Sequence, residues 1–128
     1  MNMLLGFLLL LTVTSAVAEP FEARVTAARN AAETPDTRSY DRVMFEAVGA
    51  RLANAFQSCA ATAPGPKVPF VLVADLTPAG KPTAVDVQPR TEIATCFAGR
   101  FAALTFPAPP AVGDRTHYPV YLDMRIPF

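Results

Sequence analysis

Apolar and polar positions alternate most cleanly near the end of the chain, where Val120, Leu122, Met124 and Ile126 are interleaved with Tyr121, Asp123 and Arg125. A period of two predicts a strand with one face buried and the other wetted. Pro119 is compatible with a strand start or a sheet edge. A second strand is predicted over Val68 to Leu76, a run rich in β-branched and aromatic residues and too short for a typical helix. A third follows at Pro82 to Gln88, with Val85 and Val87 set against Asp86 and Gln88. Between these last two, Pro78 pre-sets the φ of a turn and Gly80 can take the left-handed conformation that closes a hairpin.

Two stretches have helical periodicity instead. At ~100° per residue, Met44, Phe45, Val48, Leu52, Ala55, Phe56 and Cys59 fall within about a third of a helix circumference. Glu46, Asn54, Gln57 and Ser58 fall on the other side. Ser39 is the expected N-cap, Asp41 lies in the first turn, and Ala63-Pro64-Gly65-Pro66 ends the helix. Ile93, Phe97, Phe101 and Leu104 share one face of a second helix, capped by Thr91 or a neighbour, with Glu92 in its first turn. Thr105-Phe106-Pro107 stops it, because proline cannot continue a helix. The order α-β-β-α-β predicts an α+β fold: a small antiparallel three-stranded sheet with two helices packed on one face. The Phe45 and Phe56 stripe is read as core.

Residues 1–18 are set apart by composition. Leu4 to Leu11 is a nearly unbroken apolar run, followed by Thr12, Thr14 and Ser15 and then Ala16-Val17-Ala18, small residues in an A-x-A pattern. This resembles a secretory signal peptide cleaved after Ala18. The competing expectation is an uncleaved anchor, although Met3 to Ala18 is shorter than the ~20 apolar residues that span a bilayer. Residues 19–38 are an N-terminal segment that could be a helix, a strand or a tether, and 39–128 are the folded domain.

Export gives the cysteines their meaning. The chain has two, Cys59 and Cys96, and two cysteines in a small exported domain are expected to pair; the alternative is two buried free thiols. Helices lying side by side on one face would let them meet. The balance of 11 Lys and Arg against 11 Asp and Glu supplies no basic surface, so neither nucleic acid nor, once the signal is removed, a membrane is expected as a partner.

The ordered set Ala55-Phe56-Gln57-Ser58-Cys59, Pro78-Ala79-Gly80-Lys81, Val85-Asp86-Val87, Ile93-Ala94-Thr95-Cys96, Leu104-Thr105-Phe106-Pro107-Ala108-Pro109 and Tyr118-Pro119-Val120 resembles the TonB C-terminal-domain family in its disulfide-bearing, stand-alone variety. The likeness runs from about Tyr40 to Ile126. Where the family commonly carries Trp-Arg ahead of the Phe-Pro, this chain has Leu104-Thr105. The resemblance implies a non-catalytic periplasmic module that binds another envelope protein or peptide segment by adding a strand to its sheet edge. The edge it implies is Tyr118 to Ile126, with Tyr118, Val120, Tyr121, Asp123 and Arg125 as candidate partner-binding residues. An open edge also permits strand-to-strand homodimerisation. The alternative, should the N-terminus stay uncleaved, is a membrane-tethered component of a TonB-type transport or secretion system.

An enzyme is disfavoured on the residues themselves. The single histidine, His117, has no sequence-local partner, and nucleophilic catalysis needs a base oriented beside its nucleophile. The carboxylates are scattered without the spacing of a pair or a metal cage, and no glycine loop is built to cradle phosphate. Neither cofactor nor metal is expected. A cysteine-dependent activity would require the two thiols to be free.

Overall fold

A computed structural model describes residues 19–125. The signal-peptide reading of 1–18 and the placing of Ile126 in the last strand lie outside the described residues. The elements are α1 (Phe21–Ala31), α2 (Pro35–Thr62), β1 (Phe70–Leu76), β2 (Pro82–Gln88), α3 (Glu92–Ala102) and β3 (Tyr118–Met124). The three strands form one antiparallel sheet in the order β2-β1-β3. The protein is therefore α+β, as the periodicity predicts.

The alternation along β1 divides the core in two. Phe70, Leu72, Ala74 and Leu76 face the main core with Val87, Tyr118 and Val120, under Tyr40, Met44, Val48, Leu52 and Cys59 of α2 and Ile93, Ala94, Phe97 and Phe101 of α3. The register pairs Leu72 with Val87 on one side and with Leu122 on the other, which keeps every even-numbered β1 and β3 residue on this face. Both predicted helices do pack here, and they are stapled by Cys59–Cys96, with Cα atoms 5.8 Å apart and the two cysteines 37 positions apart in sequence. Cys59 is 0% exposed, and Cys96 sits at the rim. Closing a loop of that length stabilises the fold by about 3–4 kcal/mol in the chain-entropy account.

The other face of the sheet holds an element that the periodicity left open. Residues 21–31 are a helix and not a tether, with Val25, Ala28 and Ala31 buried at a spacing of three. Small alanines let α1 lie close to the sheet, where Val73 is also buried. Arg24 holds it there: its guanidinium pairs with Asp75 at 3.5 Å and donates to the Ala84 carbonyl at 2.6 Å. Ala84 lies at φ +49°, in the left-handed region, and sits in the bulge where the β1–β2 register slips between Val73 and Asp75. Arg29 stacks over the Tyr121 ring at 5.4 Å. The odd-numbered face of β3 is therefore partly roofed by α1 rather than simply wetted.

Four local readings change. First, α2 begins at Pro35, not after Ser39. Thr34 accepts from the Thr37 N–H, and Thr37 Oγ accepts from the Thr34 N–H, both at 3.2 Å, while Pro35 occupies a first-turn position whose N–H would be unpaired anyway. Second, Phe45 is 63% exposed because the buried stripe of α2 runs Thr37, Tyr40, Met44, Val48, Leu52, leaving Phe45 one step outside it. Third, α3 ends at Ala102, so Leu104 packs from the connection that follows. Fourth, β1 starts at Phe70, with Val68 exposed before it.

That connection is tied down at its start. The Phe106 N–H donates to the Gly80 carbonyl at 2.9 Å, the Phe106 ring packs on Phe101 with centroids 4.9 Å apart, and Tyr40 Oη donates to the Pro107 carbonyl at 2.8 Å. Gly80 lies at φ +82°, and a Cβ there would overlap the Phe106 carbonyl oxygen.

Two stability measurements check these contacts. Replacing both Cys59 and Cys96 by alanine should lower the unfolding free energy by about 3–4 kcal/mol in urea titrations. Gly80→Ala should cost more than about 2 kcal/mol, since the substitution is strained in φ and collides with backbone that cannot move aside cheaply.

Candidate functional site

The outer margin of β3 is the site at which backbone, apolar surface and charge converge. In an antiparallel sheet an edge strand directs every second N–H and C=O away from its partner, and among the described residues β3 pairs only with β1. Helix α1 lies against the odd-numbered side of β3, through Arg29 over Tyr121, and α2 covers the even-numbered side. The groove between them holds about 420 Å³ and is lined by Ala28 of α1 and Ala32 just past its end, Asp41, Met44 and Phe45 of α2, and β3 from Tyr118 to Met124.

The predicted partner-binding residues fall into three groups. Tyr118 and Val120 line the groove but are buried, and their side chains pack in the core. Tyr121 is half-buried beneath Arg29, and Asp123 is exposed. Arg125 is exposed just beyond the strand and ion-paired to Asp123 at 3.3 Å. Met44, Phe45 and Asp41 are groove residues that the sequence pattern assigns to other duties. The Thr34-Pro35-Asp36-Thr37 start is the signal for Asp41, because it moves that residue from the first turn of α2 to the second.

Asp41 belongs to a small polar cluster at the Tyr118 end of the groove. Its Oδ1 accepts from Tyr118 Oη at 3.3 Å, and Tyr118 meets Tyr40 edge-to-face with centroids 5.0 Å apart. Burial raises the Asp41 carboxyl above the ordinary carboxylate value, the Tyr118 hydrogen bond opposing it in part. Burial and then the Asp41 charge push Tyr40 up to about 12. The same two causes, with the hydrogen bond to Asp41 and the neighbouring Tyr40, raise Tyr118 as well.

Elsewhere, His117 sits half-buried by a shallow polar hollow lined by Asp75, Thr83, Asp114, Arg115 and Thr116. Its Nδ1 lies 3.0 Å from Thr116 Oγ, while Asp75 is engaged by Arg24. Both cysteine sulfurs are in the disulfide, which removes the thiolate that a cysteine-dependent activity would need. Among the described residues no group of His, Cys, Asp or Glu gathers to hold a metal. No helix among them is long and apolar enough to cross a membrane. Comparison with family models, with curated proteins and with solved structures finds no match.

The cluster sets a pH dependence at both ends of the scale. A raised Asp41 pKa contributes stability that is fully present below the ordinary value of 3.8 and is lost as pH rises through the raised value. Asp41→Asn keeps an acceptor for Tyr118, so it should gain stability relative to the parent as pH climbs from 3.8 to neutrality, read by chemical denaturation at each pH. The raised Tyr40 contributes stability present below pH 10.0 and lost through about 12, and Tyr40→Phe should flatten that alkaline loss.

Proposed function

We propose that this chain is a non-catalytic interaction module that receives an extended segment of another protein as an additional strand beside β3. The observation that carries the reading is the outer side of β3, unpaired among the described residues and set at the floor of a groove whose walls come from α1 and α2. Strand addition draws affinity from main-chain hydrogen bonds and selectivity from alternate side chains. The groove offers both, through the β3 backbone and through Met44, Phe45 and Asp41.

The same arrangement supports the resemblance to the TonB C-terminal-domain family as a proposal. Two helices bridged by a disulfide cover one face of a three-stranded antiparallel sheet, and the last strand lies at its margin. The disulfide also favours an oxidising compartment, and hence a periplasmic partner. The α1 helix is an addition to the elements that the resemblance implies. It supplies the second wall of the groove.

Amide hydrogen exchange tests the reading. Panning the purified chain against random linear peptides should return extended sequences that alternate apolar and polar residues. On binding, about every second amide from Val120 to Met124 should slow, with Pro119 silent for want of an N–H, while β2 is unaffected. Unchanged exchange along β3 in the presence of a saturating peptide overturns strand addition at this edge.

A further inference from the structure

The chemistry of the groove narrows what can fill it, on the reading that β3 accepts a strand. Side chains of an added strand alternate between the α2 wall and the α1 wall. Those on the α2 side meet Asp41, Met44 and Phe45, and those on the α1 side meet Ala28 and Ala32. Among the described residues the lining carries no charge besides Asp41 and Asp123, and it contains neither lysine nor arginine. The two carboxylates differ. Asp123 is already paired with Arg125, whereas among the described residues Asp41 makes no ion pair and has one hydrogen bond, from Tyr118.

Asp41 is also fixed in position along the groove. Its contact with Tyr118 places it at the start of β3, and Met44 and Phe45 lie about one helical turn further along α2. The Phe45 ring lies over Gly49, where a Cβ would come within 3.3 Å of it, and stays 63% exposed. A strand running along β3 would therefore pass a carboxylate at one end and apolar side chains over the rest of its α2-facing side.

A second copy of the chain does not meet this requirement. When two β3 strands pair antiparallel about a two-fold axis normal to the sheet, residues directly opposite each other lie on the same face. The copy would then present Tyr118, Val120, Leu122 and Met124 towards α2, and its Arg125 would fall on the α1 side with Tyr121 and Asp123. No cation from the copy's β3 would be set against Asp41.

We infer that the partner is an extended segment with a lysine or arginine at one end and apolar residues at the second and fourth positions beyond it, the cation seated on Asp41 and the apolar side chains against Met44 and Phe45. The partly desolvated state of Asp41, visible in its raised pKa, is relieved when a cation arrives.

The probe is a labelled peptide matched to the seven residues of β3, alternating valine and threonine, with lysine replacing the first valine. Its reversed-sequence counterpart covers the opposite strand polarity. Binding is read by fluorescence anisotropy to the purified chain, with amide exchange of β3 as the record of where the peptide sits. One polarity should bind about tenfold more tightly than the same peptide with norleucine at the lysine position, and glutamate there should bind more weakly still. Asp41→Asn should abolish the lysine preference while the norleucine peptide keeps its affinity, and Phe45→Ala should weaken both peptides alike. If lysine and norleucine peptides bind equally, or the preference survives Asp41→Asn, the inference is overturned while strand addition stands. If no peptide slows β3 exchange, both fall. If the unliganded chain is a dimer with β3 already protected, the occupant is a second copy and the inference fails.

Discussion

A three-stranded sheet has one central strand, and here β1 must be buried on both faces while its neighbours are not. Its even-numbered residues need a thick cover, supplied by α2 and α3. Its odd-numbered side needs only a thin one, since Val73 is the single fully buried apolar residue of β1 there and Asp75 is satisfied by Arg24. The disulfide fixes the thick layer by holding α2 and α3 together, and α1 provides the thin one through alanines and two arginines. The β1 backbone is paired on both sides. The sheet's unpaired hydrogen-bonding capacity is thereby displaced to its margins, and at the β3 margin the two layers part to form the groove.

The strands and the sulfur bridge were legible in the sequence because the signals behind them are local or combinatorial. β2 has the predicted bounds, Gly80 does take a positive φ, and Thr91 does cap α3 by accepting from the Ala94 N–H at 3.2 Å. What was not legible has definite causes. The packing of α1 uses three small or β-branched residues and long-range polar contacts from Arg24 to Asp75 and Ala84, which no local period encodes. The start of α2 was obscured by a capping box with Thr37 where glutamate is the usual reciprocal residue. That displacement of one turn also concealed the groove. Phe45 reads as core and Asp41 as a dipole-compensating first-turn acid until the true helix start is known. The Ala84 bulge leaves no mark in the sequence either, since alanine is not a residue that announces a positive φ.

The Tyr40, Asp41 and Tyr118 cluster shows how core and groove share residues. Tyr118 packs in the core and keeps its hydroxyl for Asp41; Tyr40 packs on Tyr118 and spends its own hydroxyl on the Pro107 carbonyl. Among the described residues no buried side-chain polar atom lacks a hydrogen-bond partner, so the cluster is satisfied as it stands. Its one strained component is electrostatic: a carboxylate held partly out of water with only a neutral donor facing it.

The anchoring of Phe106 and Pro107 bears on how the chain reaches its final topology. β3 is separated from α3 by a stretch without regular structure, and it must return across the molecule to pair with β1. Loop-closure cost rises with the length of free chain. The hydrogen bonds from Phe106 to Gly80 and from Tyr40 to Pro107 fasten the first residues of that stretch beside the hairpin turn. With those bonds made, only the residues after Pro107 remain as free chain to be closed. The glycine of the first hairpin thus has a second employment, as the post from which the last strand is launched.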